Sequence, residues 1–596
     1  MRSLTKTFIF CFILLFSINF ILIANYSNAD IIEIDSPIYQ LMDILYSVND
    51  IGTPSNSRPW SKAEAKLILS RIDKSNLNEN SRNIYNSIEK EILNTGRFNI
   101  DDEFILGLEL DVNLENYSQT NPSYSETESD WVYDFEKRKK LLVAKIEMGI
   151  DNWFYTYCDL CYGWGLYDVD DDIANYKFTL PTDEDYEPYY TEGVENTHKG
   201  FNSLLDNYYS YYDSGTVQMA TTHSVYQEKS ISNIPPASKY FDFNWPKRTI
   251  FSFGGNNWNL SVNKDKISWG NSHIGNLVVD NHFDYQNFLR FTGFSDKFKY
   301  EFLAINMNTK ILINEEQETP YQRLFLAHRL EFRIAKKLTF AVSENVMYQE
   351  EILDFSYLNP ANIYHNVNTR GTLNAIAHAE IDWQFLKGFN LYVQGVLDQA
   401  RAPNEGDSQT GSWGALTGLE YSSLVGSGLF TTSLEAVYTT PLLYRRDIID
   451  FIVLTREISF FHNETVRFDY LGFPYGGDDL CFQWDANYYL NENTSFHGFI
   501  RANYHGQFYI DDSPNINNIP LGDANRRFDT LLSGDIIDET FTFSIKGETI
   551  IFKKYPYPKV WTEIDFLIFR KANKNTGEIT DKKQNIQIIL GMSVNI

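Results

Sequence analysis

Hydrophobic and polar residues alternate along most of this chain, and its last stretch shows the pattern most clearly. In residues 584–596 the apolar side chains fall on one side of the alternation and the polar ones on the other, with Ile589 as the apolar exception. A period of two predicts a β-strand with one apolar and one polar face. The pattern returns in pieces of about ten residues, the length that a tilted strand needs to cross a bilayer.

Charged side chains occupy the polar face of several of these pieces. Arg323, Arg329 and Glu331 alternate with apolar residues along one piece, and Gln483 and Asp485 do so along another. A soluble sheet buries a dry core, whereas a barrel in lipid turns its apolar face outward and its polar face toward the lumen. The pattern therefore favours a membrane barrel over a soluble β-sandwich.

Short turns and long polar segments alternate between the predicted strands. Ser295-Asp296 is one of the short turns, and residues 441–480 and 571–583 are two of the long loops. Short periplasmic turns and long external loops are typical of outer-membrane barrels. The count predicts a transmembrane antiparallel β-barrel of about 18 strands in residues 101–596. Residues 451–461 are assigned to a loop, because one more strand would break the even number.

The N-terminal part of the chain follows a different pattern. Residues 1–29 combine a positive start, an apolar run and a small-residue exit, which predicts a cleaved signal peptide and export to the outer membrane. Residues 30–100 predict about three short amphipathic helices, with Ser36-Pro37 opening the first and the capping box Ser61-x-x-Glu64 opening the second. We expect a small periplasmic helical bundle at the base of the barrel.

Composition narrows the classes of function. Aromatic residues make up 16% of the chain, which fits the aromatic girdles of a barrel. The net charge of -28 argues against nucleic acid as a partner, because its phosphates would be repelled. The sequence motifs of hydrolases and of phosphate-binding loops do not occur, so we expect a protein that is not an enzyme.

Two groups of residues raise the question of a metal. Cys158 and Cys161 have neither a second cysteine pair nor histidines at zinc spacing, so a disulfide and two free thiols both stay open. The carboxylates of residues 168–187 could gather calcium, but their spacing is not that of an EF-hand, and a solvated loop is the better interpretation. We therefore expect no metal and no cofactor.

Several segments, in consistent order along the chain, resemble the capsule assembly protein Wzi family. They are SRPWSKAEAKLIL at 57–69, GGNNWNLSVNKDKISWGNSHIGNLVVDN at 254–281, FLRFTGFSDKFKYEFL at 288–303, AHRLEF at 327–332 and YLNPANIYHN at 357–366. The resemblance implies an outer-membrane barrel with a periplasmic bundle, which acts as a surface lectin that holds capsular polysaccharide to the cell. Where that family is expected to have Gly-Arg-Asp-Arg and Trp-Gly-Pro-Gly, this chain has Asn263-Lys264-Asp265-Lys266 and Trp269-Gly270-Asn271-Ser272. The ligand can therefore be another surface glycan.

The candidate binding residues lie mainly in two predicted external loops, which we expect to meet at the external mouth. Aromatic faces and side-chain amides suit sugar rings and hydroxyls, and arginine on a lumen-facing strand suits carboxylates. The alternatives are that the loops plug the lumen and that the arginines form salt bridges across it. The predicted polysaccharide-binding residues are Trp269, Asn271, His273, Asn276, Tyr357, Asn359, Arg329 and Glu331.

These observations predict a surface lectin of the outer membrane that binds capsular or other surface polysaccharide and assists capsule assembly. The alternative function is a saccharide or general diffusion porin. Bulky residues on the inner face, such as Phe325 and Tyr489, favour a filled lumen and therefore the lectin. We expect a monomer surrounded by outer-membrane lipid.

Overall fold

The computed structural model describes residues 27–93, 98–99, 104–122, 124, 131–134, 136–164, 177–179, 209–210, 216–218, 231–235, 242, 245–307, 311–312, 322–350, 354–359, 361–364, 373–399, 411–426, 428–445, 449–458, 464–491, 493–510, 532–552 and 557–596. The carboxylates of the acidic stretch 168–187 and most of the predicted signal peptide lie outside these residues.

Eighteen antiparallel strands form a closed barrel, which confirms the predicted fold class. The last strand pairs with the first, from Gln587 opposite Gln119 to Asn595 opposite Asp111. The strands are β1 Phe104–Gln119, β2 Leu142–Ile150, β3 Phe154–Tyr162, β4 Thr249–Gly254, β5 Trp258–Asp265, β6 Gln286–Phe294, β7 Phe298–Met307, β8 Gln322–Ala335, β9 Leu338–Glu350, β10 Leu373–Leu386, β11 Phe389–Gln399, β12 Ser412–Val425, β13 Gly428–Thr439, β14 Asp479–Asn491, β15 Thr494–His505, β16 Ile536–Ile550, β17 Lys559–Asn573 and β18 Ile579–Asn595.

The two faces of each strand follow the alternation of the sequence. On β18, Leu590 and Met592 are 53% and 38% exposed on the outside, while Gln587 is buried on the inside. Trp484 is exposed and Asp485 is buried in the same way on β14. Such a barrel satisfies its backbone hydrogen bonds internally and presents an apolar surface to lipid, which is what a membrane requires of a spanning sheet.

Aromatic side chains gather on the outside near the short turns. Trp153 stacks on Phe253 with ring centroids 5.8 Å apart, and Trp383 on β10 is 48% exposed. Aromatic belts of this kind mark the interface of a bilayer. Following the arrangement of outer-membrane barrels, we refer to the end with the short turns as the periplasmic end and to the other as the external end.

One external connection is shorter than the sequence predicts. Residues 571–583 were expected to form a long loop, but β17 continues to Asn573 and β18 begins at Ile579. This prediction is wrong because the two strands extend beyond the apolar band. There both of their faces contact water, so the polar sequence carries no alternation that could identify a strand.

Three helices precede the barrel, where the sequence places them. They are α1 Pro37–Val48, α2 Lys62–Ser70 and α3 Glu79–Leu93, with a 3-10 turn at Lys74–Asn76. The Ser36 side chain caps α1, and Pro37 stands at its start, where a missing N–H leaves no hydrogen bond unmade. Their apolar faces pack together around Trp60 and reach Leu429 of the barrel. Among the described residues, no helix has the length and apolar content of a membrane span.

Several short strands lie outside the barrel wall. Residues 451–461, which were assigned to a loop, contribute Ile452–Ile458, and this strand pairs with Glu464–Tyr470 in a separate hairpin. The expectation of an even number of strands therefore excluded this segment from the barrel correctly, but the sequence did not predict the hairpin. The remaining short strands outside the wall are Ser57–Arg58, Lys177–Thr179, Tyr209–Ser210, Thr216–Gln218, Ser268–Trp269 and Ile311–Leu312. The short strand Phe98–Asn99 instead pairs with Ile105 and Leu106 of β1 in the barrel sheet.

Candidate functional site

The lumen is divided into a filled part and an open part. Residues 51–62 enter it from the helical domain, by which we mean α1–α3 and the residues between them. Residues 266–285 enter it from the external end. We call these two segments together the plug. They meet as a small antiparallel sheet, in which Ser57 pairs with Trp269 and Arg58 with Ser268. The backbone N–H of Gly270 also donates to the carbonyl of Asn56 at 2.9 Å. The helical domain and an external loop are thus joined inside the barrel.

Trp269 lies in the plug and not at the external mouth. Its side chain is fully buried, and the indole N–H donates to Oε1 of Glu301 at 2.9 Å. Arg290 holds the same carboxylate through two hydrogen bonds of 2.8 and 2.9 Å, and it also donates to the Ser57 hydroxyl at 3.0 Å. The predicted position of Trp269 is therefore wrong, because its ring completes a buried network between the two plug segments and the wall.

Arg329 and Glu331 belong to the same buried network on the inner face of β8. Arg329 donates to Glu380 at 2.9 Å and to Glu331 at 3.4 Å, and the Ser55 hydroxyl donates to Glu331 at 3.2 Å. These contacts are mutual salt bridges, as the alternative interpretation had it, but they run along the inner wall from β8 to β10 and do not cross the lumen. An arginine whose charge is paired and buried stabilises one geometry and has no solvent-facing donor to offer a ligand.

The capping box of α2 also reaches the barrel wall. The Ser61 hydroxyl accepts from the backbone N–H of Glu64 at 3.2 Å, as the sequence predicts for a helix start. The Glu64 carboxylate, however, accepts from Lys299 of β7 at 2.6 Å. Burial raises the pKa of Glu64, although Lys299 opposes that rise. The helix start is thus an anchor of the helical domain to the barrel.

Asn271 and Asn276 shape the turn at the tip of the external plug segment. The amide of Asn271 donates to Asp382 at 2.8 Å, and that of Asn276 donates to Ser268 at 2.9 Å. Gly270, directly before Asn271, has a φ of +126°, and a Cβ there would collide with the Asn276 side chain. Glycine is therefore required at this position by both conformation and space.

His273 stands at the boundary between the plug and the open part of the lumen. Its backbone N–H and that of Ile274 donate to Glu435 at 2.9 and 3.0 Å, and its ring Nε2 lies 3.5 Å from Glu420. Burial lowers the pKa of His273, but the hydrogen bond to Glu420 and the charges of Asp485 and Glu435 outweigh it and raise the pKa to about 10. The imidazolium is therefore held by carboxylates of the wall.

Tyr357 and Asn359 lie on the outside of the barrel. Residues 354–359 and 361–364, which we call the strap, fold over the outer face of β7–β10, where Tyr357 and Tyr364 are buried among wall residues. Tyr364 stacks on His328 with ring centroids 4.9 Å apart. The two predicted motifs therefore do not meet at the external mouth: one fills the lumen and the other covers the outer wall. Whether these residues bind a glycan stays a prediction.

An open cavity of about 2560 Å³ occupies the rest of the lumen. Ion pairs line it, among them Lys145 with Asp111 at 2.8 Å and Lys546 with Glu563 at 3.4 Å. Aromatic rings line it as well, including Tyr475, Trp131, Tyr133 and Tyr509. Side chains of this kind present polar groups beside flat apolar faces, which is the chemistry that sugar rings and hydroxyls require.

The sequence did not identify the residues that bring the external loop after β1 into the lumen. Residues 131–134 and 136–140 fold inward, where Trp131 and Tyr133 pack against Tyr117 and Ile589. Tyr133 donates to the Glu115 carboxylate at 2.6 Å, and Lys139 lies over the Trp561 ring at 4.1 Å. The signal was the run of aromatic residues followed by Lys137-Arg138-Lys139-Lys140, which is unusually cationic for this acidic chain.

Potential metal ligands do not cluster in the described part of the chain. In that part, no three histidine, cysteine, aspartate or glutamate side chains come together as a potential ion site. Cys158 and Cys161 are free thiols, the former half-buried and the latter buried. Of the two interpretations of this pair, the structure has the free thiols.

Comparison with known proteins places the fold but not the family. No family model and no curated protein matches the chain. Among solved structures, Wzi of Escherichia coli, an outer-membrane protein involved in group 1 capsule assembly and a carbohydrate-binding β-barrel, is similar with a TM-score of 0.51 and 10% identity, over 95% of this chain and 99% of that one. The Pseudomonas aeruginosa protein OccK3 is similar at a TM-score of 0.37 and 8% identity, over 82% and 95% of the two chains. The Acinetobacter baumannii outer membrane channel DcaP has a TM-score of 0.30 and 8% identity, over 84% and 99%.

Proposed function

We propose that this protein is a glycan-binding barrel of the outer membrane, which holds capsular or another surface polysaccharide at the cell surface and assists its assembly without catalysing a reaction. In this proposal the chain is exported by a cleaved signal peptide and acts as a monomer. The observation that supports it best is the polar, aromatic-lined cavity beside a lumen that is otherwise filled by the plug. Its volume of about 2560 Å³ exceeds the roughly 300–1,000 Å³ of an ordinary small-molecule pocket, so a chain of several sugars suits it better than a single one.

Tyr509 at the external end of the cavity is the residue that we propose first contacts the glycan. Its ring is 38% exposed and stacks on His505 with centroids 4.8 Å apart, while its hydroxyl donates to Asp538 at 2.7 Å. A rigid aromatic ring with polar neighbours can stack on one face of a sugar. Among the residues predicted from the sequence, His273 also lines this cavity.

The test is binding of surface polysaccharide from the source cells to the folded barrel and to Tyr509→Ala. We expect the substitution to weaken binding about tenfold, the loss typical of removing a contact worth about 1.4 kcal/mol. Tyr162→Ala is the matched control, because Tyr162 ends β3 on the outer face and is 37% exposed. Equal affinity of both variants would move the site away from the cavity mouth.

A diffusion channel is the second candidate function. It is favoured by the extent of the cavity, which is lined by Asn595 and Ile596 at the periplasmic end and by Tyr509 and Lys583 at the external end. The filled part of the lumen argues against wide passage, since Leu277 of the plug packs there with Phe325 of β8 and with Phe451. Large conductance steps that occur without glycan would favour the channel over the lectin.

A further inference from the structure

The strap covers a part of the wall that would otherwise face lipid. Val346 on β9 and Leu397 on β11 both point outward, and they lie equally far from the first residues of their strands, Leu338 and Phe389. Leu397 is 44% exposed, whereas Val346 is fully buried. The difference arises because the strap lies on Val346 and its neighbours Leu326 and Tyr348. The strap therefore stands at a level where the adjacent wall is apolar and uncovered.

Specific contacts hold the strap to the wall. Tyr364 stacks on His328, and its backbone N–H donates to Glu344 at 3.0 Å. His328 and Glu344 form a pair at 3.2 Å on the outer face of the barrel, where charged groups would be costly against acyl chains. The Tyr348 and Tyr357 ring centroids are 4.9 Å apart, and the Tyr348 hydroxyl accepts from the backbone N–H of Asp354 at 3.1 Å. These contacts fix the strap to the outer surface of the barrel.

The outward surface of the strap carries three exposed polar residues and two exposed apolar ones. Asp354, Ser356 and Asn359 are the polar residues, and Ala361 and Ile363, the latter 60% exposed, are the apolar ones. Amide and hydroxyl groups that faced acyl chains would be left without hydrogen-bond partners, at a cost of several kcal/mol each. This surface therefore suits a neighbour that has hydroxyl groups and an apolar part together.

We propose that the strap is a binding surface for the glycolipid of the outer leaflet, with the amides and hydroxyls on its sugar headgroup and Ile363 at the start of its acyl chains. This function is distinct from glycan binding in the lumen, because the strap lies on the opposite side of the wall. It places a lipid-facing recognition site on the strands β7–β10.

Hydrogen–deuterium exchange of the strap in two kinds of vesicle tests the proposal. The folded barrel is placed in phospholipid vesicles and in vesicles of phospholipid and lipopolysaccharide in equal parts. We expect exchange of residues 354–364 to slow roughly tenfold when lipopolysaccharide is present. The same exchange rate in both vesicles would overturn the proposal. Protection that rises with protein concentration in phospholipid alone would also overturn it, in favour of a second copy of the chain.

Two variants and a control sharpen this experiment. Ile363→Asp and Ala361→Glu place an anionic side chain on the exposed surface, away from the buried contacts of Tyr357 and Tyr364. We expect each variant to reduce the protection by lipopolysaccharide to less than about twofold, while exchange in phospholipid alone stays as in the parent protein. Ile231→Asp changes another exposed isoleucine, 68% exposed on an external segment, and should keep the full protection. Full protection in both strap variants would contradict the proposed surface.

Discussion

At the scale of single residues, the buried network of the plug explains why an aromatic residue stands at position 269. Trp269 fills space in the lumen core and gives Glu301 a neutral donor beside the charged Arg290. A buried carboxylate needs several donors, because each one that is lost leaves a desolvated lone pair. The geometry therefore gives Trp269 a structural role, although its sequence context also suits a ring that binds a sugar.

Trp269→Phe tests that role by removing the indole N–H and keeping most of the ring. We expect the free energy of unfolding to fall by about 1–3 kcal/mol, because Glu301 loses one of its buried donors. Urea unfolding of the refolded barrel in detergent measures this change. Trp413→Phe, at a site that is 42% exposed on the outer wall, should change it by no more than about 0.5 kcal/mol. Equal losses in the two variants would contradict the proposed hydrogen bond.

The raised pKa of His273 predicts that the attachment of the plug depends on pH. Its pKa rises from 6.5 to about 10 in the folded protein, so folding favours the protonated ring. A raised pKa contributes stability that is complete below pH 6.5 and is lost as the pH increases toward about 10. We expect hydrogen exchange in residues 268–279 to accelerate across this interval. His273→Gln should show a flatter profile, and an unchanged profile in that variant would assign the pH dependence to another group.

At the scale of elements, the sequence predicts strands well and loops poorly, for one physical reason. Each strand contacts lipid on one side and the lumen on the other, so apolar and polar residues alternate directly along its sequence. The inward course of residues 266–285 instead depends on partners such as Asn56 and Asp382, which are far away in the chain. The sequence therefore identified the motifs near Trp269 and Tyr357. It did not predict that they lie on opposite sides of the barrel wall.

The strap is the element whose position the sequence left undetermined, and Tyr364 is its main anchor. Tyr364→Ala removes a fully buried ring from the outer wall, a change that typically costs about 3–5 kcal/mol where the site cannot refill. We expect the strap to detach while the barrel keeps its strand pairing. Proteolysis at residues 354–364 should accelerate strongly, and the urea midpoint of the barrel should change little.

Ile363→Ala is the control for that experiment, because Ile363 is on the same strap but exposed. It should leave proteolysis close to the parent rate. A large drop of the urea midpoint in Tyr364→Ala would show that the strap supports the barrel as a whole. This result would contradict the expectation that the strap can detach while the barrel stays folded.

At the scale of the whole molecule, the plug connects the helical domain, the wall and the external loops through one network. Lys299 binds Glu64 of α2, Arg290 binds Glu301, and Asn56 donates to Glu380 at 2.8 Å. Such a network fixes the helical domain to the lumen, and the large open cavity lies beside it. The molecule thus combines a closed side with an open side, and the open side is where a ligand has access.

Planar-bilayer recording measures how far the open side conducts. We expect small steps that added surface polysaccharide suppresses, because the glycan would fill the same cavity that ions use. Arg290→Met should enlarge the steps, since it removes the cation that holds Glu301 and the segment around Ser57 in place. Lys582→Met, at an exposed site on β18, should leave them unchanged. Large steps in the parent protein that polysaccharide does not affect would contradict a filled lumen.

Binding of surface polysaccharide from the source cells to the barrel folded in detergent is the direct test of a glycan-binding barrel. We expect saturable binding that is weakened in Tyr509→Ala and retained in Tyr162→Ala. Absence of saturable binding, both alone and with added calcium, would contradict a glycan-binding barrel and make the channel the leading function.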